Sequence, residues 1–91
     1  MALLSASKLG FVLALSGAAH FAAPDKFVEI TKQAFPDDPE TAIKRNGASE
    51  AALGLALMIP KTRKLGKVGL LAYLGYLGFN GAKTAQTAQA A

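Results

Sequence analysis

The chain contains no cysteine and no tryptophan, and a single histidine, His20, among its 91 residues. Without cysteine there can be no disulfide and no thiolate zinc site, and one histidine alone does not make a closed metal centre. A domain this small, stapled by neither, buries only about 60–65% of its unfolded surface in water. Acidic residues are also scarce, six against ten basic ones. That excess does not point to nucleic acid. Four of the ten bases, Lys61, Arg63, Lys64 and Lys67, fall within seven positions between two apolar runs. Basic residues that read nucleic acid are more often interleaved with aromatics along one face, and only 8% of the residues here are aromatic. No nucleic-acid partner is expected.

What is present is apolar. Hydrophobic residues make up 52% of the chain. The mean hydropathy of +0.29 is modest because the charges are gathered in patches. Four segments stand out. Residues 3–23 hold one charge, Lys8, over 21 positions, close to the ~20 residues that span a bilayer core. Residues 25–35, between Pro24 and Pro36, place Phe27, Val28, Ile30, Thr31, Ala34 and Phe35 on one helical arc and every charge on the other. That pattern predicts an amphipathic helix lying at an interface. "FPDDPE" (35–40) is a turn, from which Asp38 or Pro39 starts a helix over residues 40–60 with Glu40 in its first turn. Pro60 ends that helix, and a last apolar segment covers residues 65–83. The polar, alanine-rich tail beyond it frays or carries the helix into water.

Charge sets the expected topology. Loop 61–67 has four bases and no acid, whereas segment 24–45 has five acids and four bases. The positive-inside rule then gives a cytoplasmic amino terminus and three spans. Lys8, the apolar run and the small residues at 16–19 loosely fit a cleavable signal, but the rest of the chain is just as hydrophobic, so the segment is expected to stay. The fold class predicted is all-α: one membrane domain, a bundle of three transmembrane helices plus an interfacial helix.

Small residues recur at fixed steps. They stand every four residues at Ala6, Gly10, Ala14, Ala18 and Ala22, and again at Ala48, Ala52 and Ala56. They stand every three at Gly66, Gly69, Ala72, Gly75, Gly78 and Gly81. Such ridges let helices approach closely in lipid. Gly10, Ala14, Ala18, Ala52, Ala56, Gly69, Gly75 and Gly78 are the expected packing positions. In water, the glycines of the last helix would each cost ~1 kcal/mol against alanine.

Three polar residues fall at one depth in these apolar segments: His20, Glu50 and Asn80. Ionisable groups inside a span are costly and face the bundle interior or a partner. The carboxylate of Glu50 is a natural partner for the imidazole, and Asn80 can bond either. The layer is read as a structural clasp between helices, or as a polar pocket for an apolar ligand such as a quinone headgroup or a lipid. A third possibility is that the three stay unpaired and snorkel. No nucleophile with a base, no metal-ligand spacing and no phosphate loop accompanies them.

These residues together resemble the DoxX family of small bacterial membrane proteins. "GAAHFAAPDKFVEI" is similar to that family's opening pattern, through Gly17, His20, Phe21, Pro24, Phe27 and Ile30. "FPDDPE" resembles its Leu-Pro-x-Pro turn. The stretch 46–70 resembles its middle motif at Gly47, Glu50, Gly54, Pro60, Thr62, Arg63, Gly69 and Leu70. "FNGAK" (79–83) is similar to its Phe-Pro-Ala-Asn-Ile. The likeness covers residues 10–82. Asn46 stands where the family has serine, and its usual fourth span has no counterpart before Ala91. The resemblance implies a helical membrane bundle, often a small non-catalytic subunit of respiratory or redox complexes, with other subunits or further copies covering the open side. The expected function is accessory and structural, in a bacterial inner-membrane complex, with no enzyme activity and no obligatory cofactor. Rival readings are a binder of a quinone or other apolar ligand, a self-associating membrane protein of unknown role, and a soluble helical bundle.

Overall fold

A computed structural model of the protein describes residues 5–90. Helix α1 (Ala6–Ala22) opens on Ser5, whose hydroxyl caps the Lys8 amide at 3.2 Å. Pro24 then imposes a break. A 3-10 turn (Pro24–Phe27) and the short helix α2 (Val28–Lys32) follow, bent 114° from α1. Helix α3 (Pro39–Met58) is capped by Asp38, which accepts from the Thr41 amide at 3.2 Å, with Pro39 at its first position and Glu40 in its first turn. It stops where the residue before Pro60 must be extended: Ile59 has φ −89° and ψ 118°. A second 3-10 turn (Pro60–Thr62) feeds α4 (Arg63–Ala90), 28 residues and about 42 Å long. That helix sets the long axis of a 46 × 25 × 21 Å molecule.

The class is all-α, and the three long helices fall on the three long predicted segments. The first segment was expected from residue 3; Leu3 and Leu4 lie outside the described residues. The last helix does not stop near residue 83 but runs on through the polar tail. No single described helix is long and apolar enough to cross a membrane. The bent pair Ala6–Ala22 with Pro24–Lys32 together meets that length and composition. The predicted interfacial helix over 25–35 is shorter than expected and differently turned. Its first residues wind as a 3-10 turn, at ~3.0 residues per turn rather than 3.6, which rotates the register. Thr31 is buried, whereas Ile30, expected on the apolar arc, is 66% exposed.

Helices α1 and α3 pack backbone against backbone. A Cβ on Gly54 would lie 2.5 Å from both the Ala14 nitrogen and the Gly10 oxygen, and one on Gly10 would lie 2.5 Å from the Gly54 oxygen. One on Gly17 would strike the Ala51 nitrogen and the Gly47 oxygen. The contact ridges are therefore Gly10, Ala14 and Gly17 on α1 and Gly47, Ala51 and Gly54 on α3. The every-four ladders expected from sequence are displaced: Ala18, Ala48 and Ala52 are exposed. At ~100° per residue a step of four overshoots a full turn by about 40°, so a strict ladder winds off the face, whereas alternating steps of four and three stay on it. The every-three ladder of α4 winds off the other way. Gly66 meets Ala56 and Leu57, and Gly69 meets Leu53, but a Cβ on Gly75, Gly78 or Gly81 would meet nothing within 4 Å among the described residues.

Candidate functional site

The close approach of α1 and α3 brings polar side chains together. Ser16 and His20 stand one turn apart on α1, and Asn46 and Glu50 one turn apart on α3. A Cβ on Gly47 would sit 2.5 Å from the His20 Cβ, so the missing side chain at Gly47 is what admits the histidine. Glu50 accepts from the Ser16 hydroxyl at 2.6 Å on Oε1 and from the Tyr73 hydroxyl of α4 at 2.5 Å on Oε2. The carboxylate thus joins three helices. His20 Nδ1 lies 2.7 Å from the Ser16 carbonyl oxygen; a carbonyl can only accept, so Nδ1 carries a proton. The other ring nitrogen, Nε2, stands 3.9 Å from Glu50 Oε2, beyond hydrogen-bond range. With Nε2 protonated as well, the two form an ion pair. The ring stacks on Phe27, with centroids 3.9 Å apart and planes 23° apart.

His20, Thr31, Asn46 and Glu50 are all buried, at 6%, 7%, 5% and 9% exposure. A cavity of about 240 Å³ lies beside them, bounded by His20, Glu50, Phe27, Phe35 and Tyr73 among others. One layer outward, the Tyr76 hydroxyl reaches Asn46 Oδ1 at 3.3 Å and accepts from Arg45 Nε at 2.8 Å. The Arg45 guanidinium lies over the rings of Phe35 and Tyr76, 5.4 and 5.8 Å from their centroids. Among the described residues, every side-chain nitrogen and oxygen wholly shut off from solvent has a hydrogen-bond partner. The arrangement can tie three helices through one carboxylate and present polar edges to a small cavity. No group of three or more His, Asp or Glu among the described residues is placed to hold a metal ion.

Of the three residues predicted to form one layer, the structure brings His20 and Glu50 together and leaves Asn80 out. The Asn80 amide donates to its own helix, to the Tyr76 carbonyl at 2.8 Å. Tyr73 and Tyr76 face the levels of Glu50 and Asn46, and Asn80 is a helical turn beyond them. Sequence reasoning missed Ser16, Asn46 and Tyr73. The signal was present: both α1 and α3 carry polar pairs at i, i+4, and a tyrosine in an apolar helix needs a partner for its hydroxyl.

The basic loop is also tighter than its sequence predicts. Arg63 reaches back to the Leu57 and Met58 carbonyls at 2.8 and 3.2 Å and to the Ser7 hydroxyl at 2.9 Å. Thr62 bonds the Ala56 carbonyl at 2.9 Å. Both therefore cap the free carbonyls at the end of α3, and Arg63 ties them to the start of α1. Lys61, Lys64 and Lys67 are exposed.

Residues 9–88 match the model of a family described as a domain of unknown function, DUF8561, and the chain belongs to that family. No curated protein and no solved structure matches it.

Proposed function

We propose that this chain is a small integral membrane protein, a DoxX-like helical bundle, and a non-catalytic accessory subunit of a larger bacterial inner-membrane complex, respiratory or redox-linked. The observation that carries the membrane reading is the inverted distribution of polarity. The buried polar residues are His20, Thr31, Asn46 and Glu50, while the buried apolar ones are Ala42, Ile43, Leu57 and Tyr73. Large apolar side chains point outward instead: Leu71 and Leu65 are 72% and 71% exposed, Phe79 68% and Phe11 53%. In water those groups would be the core; against lipid tails their exposure costs nothing. Helix α1, 17 residues and about 25 Å long, falls short of a ~30 Å hydrocarbon core. Short spans are accommodated by local thinning, snorkelling cations or association with other helices.

The accessory role draws on α4. It packs mainly on α3, leaving Leu65, Val68, Leu71, Leu74 and Phe79 outward with open glycines between them. On this reading the amino terminus and the basic loop are cytoplasmic. Carbonate extraction of native membranes, followed by mild-detergent native gels and mass spectrometry, tests both halves. The chain is expected in the membrane pellet and co-migrating with larger subunits. Release into the aqueous fraction sinks the membrane reading; migration alone sinks the accessory one.

A second reading, a binder of a quinone or other apolar ligand, is favoured by the roughly 240 Å³ cavity where aromatic walls meet His20 and Glu50. Apolar pockets with a few convergent polar groups are the usual form of such sites. Binding of a ubiquinone analogue to the purified protein, unchanged on replacing both His20 and Glu50 with alanine, would end it.

A further inference from the structure

We propose that the protein holds one zwitterionic glycerophospholipid, its phosphate on Arg45 and one acyl chain in the groove between α3 and α4. The inference rests on the membrane reading above. Two hollows meet at Arg45. One, about 500 Å³, runs between α3 and α4 over Ser49, Ala52, Leu53, Gly69, Ala72 and Tyr73. It exists because three of those positions carry almost no side chain; Ala52 and Ala72, which repeat as packing residues in the sequence, are exposed along it. The other, about 570 Å³, opens beyond Arg45 towards Lys83 on one side and Asp37 and Asp38 on the other.

Arg45 is held in place without being used up. Its Nε is fixed on the Tyr76 hydroxyl and its plane lies over two aromatic rings. It makes no ion pair among the described residues. Its terminal nitrogens are the fork that phosphate oxygens fit in bidentate fashion. Depth agrees with that use. On α3, Lys44 and Arg45 end the charged turns that begin at Pro39, and residues 46–59 beyond them carry a single charge, Glu50. Arg45 therefore stands at the edge of the apolar part of α3, where a lipid phosphate sits. A fully anionic headgroup would face Asp37 and Asp38. An amine-bearing headgroup, phosphate towards Arg45 and Lys83 and ammonium towards the two carboxylates, matches the charges on both walls of the outer hollow.

The test uses the full chain purified from membranes in mild detergent. Native mass spectrometry reads the retained lipid, and the stripped protein is then titrated with phosphatidylethanolamine, phosphatidylglycerol, diacylglycerol and inorganic phosphate. One phosphatidylethanolamine per chain is expected, in preference to phosphatidylglycerol, with diacylglycerol and inorganic phosphate failing to bind or compete. Arg45→Gln is expected to lower occupancy about tenfold or more, the loss of a charge-assisted contact. Ala72→Leu, which fills the groove from an exposed position, lowers it similarly while the helical circular dichroism is unchanged. Leu71→Ala, on the open face of α4, leaves it alone. Unchanged occupancy in Arg45→Gln, equal binding of diacylglycerol, or a preference for phosphatidylglycerol overturns the proposal. Carbonate extraction reports on the membrane reading by itself, so a membrane-bound chain that retains no lipid defeats only this inference.

Discussion

The Tyr73 hydroxyl donates to Glu50 Oε2 at 2.5 Å, and this bond is the buried polar link from α4 to the carboxylate that also joins α1 and α3. Hydrogen bonds to a charged partner contribute about 1.5–3 kcal/mol each. Tyr73→Phe is expected to cost about that much in detergent-based equilibrium unfolding. Glu50→Leu is expected to cost more, about 3–5 kcal/mol, because it leaves the Ser16 and Tyr73 hydroxyls facing no acceptor and the imidazole without its carboxylate neighbour. Glu50→Gln retains an acceptor oxygen and falls between wild type and Glu50→Leu. A Glu50→Leu protein as stable as wild type would show that the cluster clasps nothing.

Glycines in this chain divide into two kinds, and alanine tells them apart. Gly54→Ala places a methyl 2.5 Å from the backbone of α1, which cannot yield as a side chain can. The helices must separate, and a loss of about 2 kcal/mol or more is expected, beyond the usual 1–3 for overpacking if the polar cluster loosens with them. Gly75→Ala meets nothing within 4 Å, so it is expected to raise stability by about 0.5–1 kcal/mol through helix propensity. Thermal unfolding of the two variants should move in opposite directions; the same direction for both would contradict the packing described.

Arg63 and Lys64 are neighbours in sequence with different work. Arg63 bonds the end of α3 and the Ser7 hydroxyl, whereas Lys64 is exposed. Arg63→Ala is expected to destabilise by about 1–2 kcal/mol, discounted for its partial exposure. Lys64→Ala should stay within about 0.5 kcal/mol of wild type. Chemical denaturation of the pair distinguishes a cap from an ordinary surface cation.

Asp38 gives the entry of α3 an acid dependence. Hydrogen bonds from Thr41, side chain first and backbone amide next, hold its carboxyl below the usual carboxylate range. A depressed folded pKa means the contribution is complete above the unfolded value near 3.8 and is lost as pH falls through the folded one. Amide exchange at Thr41 is therefore expected to speed up, relative to mid-helix amides, as pH drops below about 4. Asp38→Asn keeps the cap and should flatten that dependence. An unchanged dependence in Asp38→Asn would place its origin elsewhere.

Local signals were legible in the sequence because their causes are local. Pro24, Pro39 and Pro60 set the breaks, Asp38 and Glu40 mark the start of α3, and the apolar runs mark the three long helices. The pairing of His20 with Glu50 was legible too, since both are ionisable groups set in otherwise apolar segments. What the tertiary structure alone decided is which face meets which. Small residues every three or four positions are consistent with several ridges, and only the contact of Gly10 and Gly17 with Gly54 and Gly47 selects one. That choice turns Tyr73 towards Glu50, leaves Asn80 bonded to its own helix, and exposes Ala52 and Ala72 in a groove. A helix winds ~100° per residue, so shifting the ridge by one position rotates every polar side chain to a new neighbour. No count of residues along the chain carries that rotation; it is settled where two backbones touch.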